Sequence, residues 1–314
     1  MRAELTPANT TSTLTVSTPT VTLSALFEIR EIPGKGKGMV AAVDIPKGTR
    51  IIAEEPLILI AGGPGEIMEA RAKREYDRLS PRKRAIFDSL HVAHPDSPNK
   101  LMAVFDTNSL PAGLINGAVY ENISMINHSC NPNGYHSWNA NIQKETIHAT
   151  RDIPKGEEIT ITYGIDESLL RDSRRVRLKR LFAFDCMCTH CDVTDEQAEA
   201  SNVRRLQIAH LSINIEKPDR VHVAPDAVLS DCNALGLIRE VEFGPGHGYT
   251  AATHYDALQV AVCHGRLRQA KNYATLAYRA RLVLEGEDSP ETQRMKGFMN
   301  NPRSHYAWGM SVGS

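Results

Sequence analysis

Asn127-His128-Ser129-Cys130-Asn131-Pro132-Asn133 is the stretch on which the fold turns. Asn, Ser and Pro dominate it, a composition that suits turns and not a core strand. It also holds the first cysteine of the chain. Three more thiols come together in Cys186-Met187-Cys188-Thr189-His190-Cys191, within six residues. A tetrahedral structural zinc site needs four thiolate or imidazole ligands. Three are local, so a fourth must come from elsewhere, and His190 and Cys130 are the leading candidates. The alternative, buried thiols without metal, leaves reactive groups side by side for no gain. Cys232 and Cys263 stand apart on expected helices as small hydrophobes. This clustering is not that of a disulfide scaffold and points to a reducing compartment.

Strand patterns surround the first stretch. Phe27–Ile32, Met39–Ile45 and Arg50–Ile60 alternate or are β-branched, and turns at Pro33-Gly34 and Pro46-Lys47-Gly48 separate them. Glu66 to Ser109 has helical character, with Ser80-Pro81 as a helix start. Strands return between Leu114 and Tyr163 and end in Glu158–Tyr163. A basic helix is expected from Glu167 to Leu181. Beyond Thr194 the chain is helical. Tyr249–His264 and Leu267–Leu284 join at Gly265 as an αα-hairpin, and Ser289-Pro290-Glu291 opens another helix. One such pair falls short of a solenoid, so this region is expected to be a cap packed on the β-rich part.

With 314 residues, 41% hydrophobic and 23% charged, the chain suffices for one large domain and a smaller partner. A formal net charge of -1 argues against a nucleic-acid binder. No apolar run is long enough to cross a membrane, so a soluble protein is expected. Residues 1–24 are rich in Thr and Ser. They lack the basic start and apolar core of a secretory signal and carry only Arg2, against a mitochondrial presequence. They are expected to form a disordered tail. Arg171, Arg174, Arg175, Arg177, Lys179 and Arg180 offer a surface for an acidic or nucleosomal substrate or, more plainly, a solvated helix face.

The motifs together resemble one family. Asn127-His128-Ser129-Cys130 with Pro132-Asn133 is similar to the Asn-His-Ser-Cys-x-Pro-Asn signature of SET-domain methyltransferases. Gly156-Glu157-Glu158-Ile159-Thr160-Ile161-Thr162-Tyr163 resembles the family's Gly-Glu-Glu-Leu-Thr-x-x-Tyr strand. Phe184-x-Cys186-x-Cys188-x-x-Cys191 resembles the post-SET pattern, and Gly34-Lys35-Gly36-Lys37-Gly38 the opening Gly-x-Gly loop. The four occur in the family's order. The resemblance covers Phe27 to Cys191 and is nearest to the SET-and-MYND branch and to stand-alone fungal SET proteins. No cysteine precedes Cys130, so a MYND finger in the usual insert is excluded. Ile161 stands where many members carry an aromatic, which leaves open whether one, two or three methyls are added.

The resemblance implies an α+β SET fold with a pseudoknot and a post-SET zinc site, followed by a helical C-terminal region. It implies a SET domain over 25–164 with a helical insert at 62–110, a post-SET helix and zinc loop over 165–192, and a helical cap over 193–314. It implies a protein-lysine methyltransferase using S-adenosylmethionine, with zinc held by Cys130, Cys186, Cys188 and Cys191. His190 then becomes a bystander. Gly36 and Gly38 would let backbone approach the cofactor closely, and Lys35 and Lys37 could pair with its carboxylate. Asn127 and His128 would contact it, with Asn108 and Ser124 as weaker matches, and Phe184 would pack on the adenine. Tyr163 is the expected catalytic residue, also touching the cofactor, because a hydroxyl at the end of a narrow channel can orient the amine. Only about one free lysine amine in a few thousand is neutral at pH 7, so desolvation and alignment carry the reaction.

The implied partner is a lysine-bearing protein segment or histone tail, with no sequence-specific nucleic acid and no membrane; the sequence carries no signal for oligomeric state. Cytoplasmic or nuclear residence is expected. The competing reading is a catalytically silent SET module acting as an interaction scaffold. Tyr163, the Asn127-His128 pair and the four cysteines favour the enzyme.

Overall fold

The computed structural model describes residues 26–311. The tail expected over residues 1–24 lies outside the described residues. The architecture is mixed α+β, with strands and a helical insert in the first half and helices in the second.

β1 (Phe27–Ile32) and β2 (Gly36–Ala41) form an antiparallel hairpin in register from Phe27↔Ala41 to Ile32↔Gly36. β2 stops short of the expected Ile45, which makes only an isolated bridge to Ile153. The strand expected over Arg50–Ile60 is split into β3 (Arg50–Glu54) and β4 (Ile58–Ala61) around Pro56, which has no N–H for a ladder. The helical insert is α1 (Gly65–Asp77), α2 (Pro81–Asp88) and α3 (Lys100–Asn108). Ser80 caps α2, accepting the Lys83 N–H at 3.3 Å. The chain between α2 and α3 holds Pro95 and Pro98, which rule out one continuous helix.

β5 (Leu110–Pro111), β6 (Asn116–Val119), β7 (Asn127–His128), β8 (Gly134–Asn139), β9 (Lys144–Ala149) and β10 (Glu158–Ile161) follow. They build three small sheets, ordered β1-β2-β10-β7, β3-β9-β8 and β4-β6-β5. Met39, Ile51, Ile126, Ile147, Ile159 and Ile161 fill the core between them. The insert has its own core, in which Phe87 and Phe105 pack on Ile58, Ile60 and Val119.

α4 (Arg171–Phe182) starts later than Glu167. Asp166 accepts the Ser168 N–H at 2.8 Å, which holds the chain in a turn. α5 (Asp195–Ile215), α6 (Pro218–Val223), α7 (Pro225–Phe243), α8 (Thr250–Cys263), α9 (Leu267–Glu285) and α10 (Pro290–Asn300) complete the chain. Thr194 and Gln197 form a capping box at α5. The expected α8–α9 pair is present, turned at Gly265 with φ 62°. It belongs to a longer series, because α5 packs on α7, α7 on α8 and α9 on α10. α9 also lies against β8 and β9, and Arg50 on β3 pairs with Asp288 beyond it.

Candidate active site

β7 runs parallel to β10, with Thr160 beside Asn127 and Ile161 beside His128. The Ser129 N–H extends the pairing by donating to the Ile161 carbonyl at 2.9 Å. Pairing so short a polar segment with the last strand brings Asn127 and His128 next to Tyr163. Their side chains leave opposite faces of the strand, as alternation requires.

On one face Asn127 meets the β1–β2 hairpin. Its Nδ2 donates to the Lys37 carbonyl at 3.1 Å and to Glu158 Oε1 at 2.8 Å. Lys35 Nζ donates to Glu158 Oε2 at 2.6 Å. A Cβ on Gly38 would fall 2.8 Å from Asn127 Nδ2 and 2.6 Å from Ile32, so only glycine fits there. At Gly36, where φ is 70°, a Cβ would meet nothing within 4 Å, so the backbone forms an open ledge. Lys37 is exposed on it. Glu158 joins Lys35 to Asn127 and was not singled out in the sequence, where it reads as one more acid of Gly156-Glu157-Glu158. Strand alternation could have set it apart, since its neighbour Glu157 turns to Asn133 Nδ2 at 2.9 Å.

Asn108 and Ser124 lie together. The Asn108 Nδ2 donates to the carbonyls of His91 and Val104, each at 2.8 Å. Ser124 Oγ accepts the Tyr120 N–H at 3.1 Å and donates to the Asn108 carbonyl at 3.4 Å. The donor hydrogens of both side chains are therefore spent on backbone.

On the other face lies an aromatic cluster. The Tyr163 ring is 4.9 Å from Phe182, 5.3 Å from His128 and 6.4 Å from Phe184, the last pair edge-on. Phe182 was missed because it ends a basic helix. Ala183 follows it in the left-handed conformation, φ 59° and ψ 22°, and this turn lets Phe182 and Phe184 both approach Tyr163. The Tyr163 hydroxyl donates to the Ile126 carbonyl at 2.8 Å. Burial, and then the Glu158 charge, push its phenol pKa upward, so the group stays protonated at neutral pH. Its oxygen lone pairs remain free to accept.

His128 is 5% exposed, and its ring faces inward. Nδ1 accepts the Tyr163 N–H at 3.1 Å. The ring proton of the neutral form therefore sits on Nε2, 3.3 Å from Cys130 Sγ. Burial lowers the imidazole pKa to about 4, which keeps it neutral. Any cofactor contact by His128 thus falls to its backbone.

The sulfurs of Cys130, Cys186, Cys188 and Cys191 all lie within 4.8 Å of one another, with no disulfide among them. Zinc–sulfur bonds of about 2.3 Å place tetrahedral sulfurs about 3.8 Å apart, and Cys130 Sγ is 3.6 Å from Cys191 Sγ. The donor set and spacing fit zinc. The His190 ring turns away from the cluster, stacked on Phe243 and 3.5 Å from Glu242 Oε1.

Similarity to known proteins points to one family. A family model described as SET domain matches residues 36–164. The Histone-lysine N-methyltransferase set5 of Schizosaccharomyces pombe is 32% identical over 294 residues, covering 89% of this chain and 85% of that protein. The Histone-lysine N-methyltransferase SMYD3 of Homo sapiens is 30% identical over 119 residues, 37% of this chain and 27% of that protein. The Histone-lysine N-methyltransferase SET5 of Saccharomyces cerevisiae is 36% identical over 109 residues, 33% of this chain and 20% of that protein.

Proposed function

The chain belongs to the SET-domain family, and from that premise we propose that it is an S-adenosylmethionine-dependent protein-lysine N-methyltransferase acting on a histone tail or another lysine-bearing protein. The observation that supports this best is the two-faced β7 strand. Asn127 turns to an open glycine ledge, and His128 turns to the aromatic cluster around Tyr163.

The residues present fit S-adenosylmethionine, which when bound supplies an electrophilic methyl on a sulfonium. Gly36 would admit it at the open ledge, Gly38 makes room for the Asn127 amide beneath, and Asn127 and the His128 backbone would hold it. Lys37, and Lys35 on exchange from Glu158, would pair with its carboxylate. Phe184 would pack beside it, and Asn108 and Ser124 would border the site through their remaining acceptors. Tyr163 then positions the substrate. Its hydroxyl hydrogen is committed to Ile126, so its oxygen would accept an amine N–H and leave the nitrogen lone pair free for the transfer. The rings of Phe182, Phe184 and Tyr163 exclude water, which favours the neutral amine. The lysine would shed its ammonium proton to solvent before entering, because Tyr163, already protonated, cannot take it.

We further propose that zinc occupies the four-cysteine cluster and pins the loop after α4 over the Asn127–Cys130 segment, with the pseudoknot of the family. On this reading 25–164 is the SET domain with its insert at 62–110, 165–192 the post-SET segment and 193–314 the cap. Among the described residues no helix is long and apolar enough to cross a membrane. The relatives named as histone-lysine methyltransferases support a place in cytoplasm or nucleus. The silent-scaffold reading gains no support from any of these features.

Isothermal titration of zinc-loaded protein with S-adenosylmethionine tests the assignment. Wild type and Tyr163→Phe should bind alike, and Asn127→Ala should not bind, while Tyr163→Phe should lose methyl transfer to bulk histones by about 100-fold. Absence of wild-type binding would remove the basis of the enzyme reading.

A further inference from the structure

We propose that Arg174 is the built-in countercharge of the thiolate cluster and sets how tightly the four cysteines hold zinc; this rests on the zinc reading above. Arg174 lies on α4 and is 1% exposed. Its Nη1 donates to the Leu169 carbonyl at 2.7 Å and its Nη2 to the His190 carbonyl at 2.9 Å. The same Nη2 is 3.8 Å from Cys191 Sγ, and Nε–H finds no acceptor.

Two other buried arginines show what a guanidinium ordinarily needs. Arg205 pairs with Glu242 at 2.8 Å, and Arg239 pairs with Glu167. Arg174 has no carboxylate partner among the described residues. The Leu169 and His190 carbonyls solvate this buried cation without neutralising it, and its place beside Cys191 supplies the missing negative charge if the sulfurs are thiolates. Four thiolates around a divalent zinc leave two net negative charges, themselves buried. One guanidinium offsets half of them. The neighbouring donors, Cys130 N–H to Cys188 Sγ at 3.4 Å and His128 Nε2 to Cys130 Sγ, are neutral dipoles and offset none. The guanidinium fork also ties the loop, since it grips the His190 carbonyl between Cys188 and Cys191 while α4 holds its stem.

Arg174 is therefore a positioning and charge-balancing residue, and its signature is zinc affinity. Zinc dissociation constants are measured by competition with a chromogenic chelator for full-length wild type, Arg174→Gln, Arg174→Lys and the control Arg175→Gln, a half-buried neighbour on the same helix. Cobalt-substituted samples show by their sulfur-to-metal charge-transfer bands whether all four thiolates still ligate. The expected result is a loss of about 10- to 100-fold in zinc affinity for Arg174→Gln, with a tetrathiolate cobalt spectrum retained. Arg174→Lys should recover part of the loss, and Arg175→Gln should match wild type. Wild-type affinity in Arg174→Gln overturns the proposal while leaving the zinc site standing. Equal losses in Arg174→Gln and Arg174→Lys also overturn it, since charge would then not be the cause. A wild type that takes up no zinc overturns both readings. Should Arg174→Gln fail to fold, wild-type affinity in Arg174→Lys supports the charge role and a loss equal to that of a cysteine-ligand variant overturns it.

Discussion

The backbone N–H of Tyr163 is held by the ring of His128, donating to Nδ1 at 3.1 Å, while the opposite ring nitrogen lies 3.3 Å from Cys130 Sγ. One imidazole thus spans the distance between the proposed catalytic residue and the cysteine cluster. It accepts on one side, donates on the other and carries no charge at neutral pH. Disturbing the cluster should therefore reach Tyr163 through this ring.

Replacing His128 with leucine should expose this link. The buried Tyr163 N–H would lose its acceptor, at a cost of about 1–3 kcal/mol in stability. Methyl transfer should fall together with zinc retention. Urea unfolding and metal content of the same preparation measure both. An inactive variant with full zinc and unchanged stability would show that His128 acts otherwise.

Glu158 should govern cofactor affinity. Its two oxygens hold Lys35 and the Asn127 amide. Glu158→Gln removes the charge that orients both, and hydrogen bonds to charged groups contribute about 1.5–3 kcal/mol. We expect S-adenosylmethionine binding to weaken about tenfold or more, and the unfolding midpoint to fall with the lost hydrogen bonds. Titration calorimetry beside thermal melting separates the two effects.

Ala183 is a non-glycine residue in the left-handed region. That conformation costs an L-residue about 1–2 kcal/mol, and glycine would relieve it at some expense in unfolded-state entropy. Ala183→Gly should therefore raise stability by about 0.5 kcal/mol. Activity should hold, because the turn that brings Phe182 and Phe184 to Tyr163 is kept. A lower melting temperature would contradict this account.

Acid should loosen the seam between the cap and the β-rich part. His148, on β9 beside Arg50 and Asp288, and His247, ahead of α8 and near Arg239, His254 and Lys47, are both lowered to about 4, mainly by burial. A histidine held below its unfolded value of about 6.5 resists protonation. The stabilisation is complete above about pH 6.5 and is lost progressively as pH falls toward 4. Hydrogen exchange across α8 and α9 at pH 7 and pH 5 should show faster opening at the lower pH.

The sequence alone determined the order of chemistry along the chain. The polar Asn127–Asn133 string, the strand ending at Tyr163 and the tight Cys186–Cys191 cluster are local patterns, and local patterns survive in one dimension. Ser80, Thr194 and Gly265 likewise marked helix ends, because capping depends on immediate neighbours. Only the tertiary structure decided what those residues meet. It brought Cys130 to the distant thiols and turned His190 toward Glu242, although both were open from spacing. It gave Glu158, Phe182 and Arg174 their places, and none of these is distinctive as a residue type in its own segment. The places of Glu158 and Phe182 arise from the parallel pairing of β7 with β10 and from the left-handed turn at Ala183, and that of Arg174 from the cysteine loop folding back on α4, all set by the packing of the whole chain.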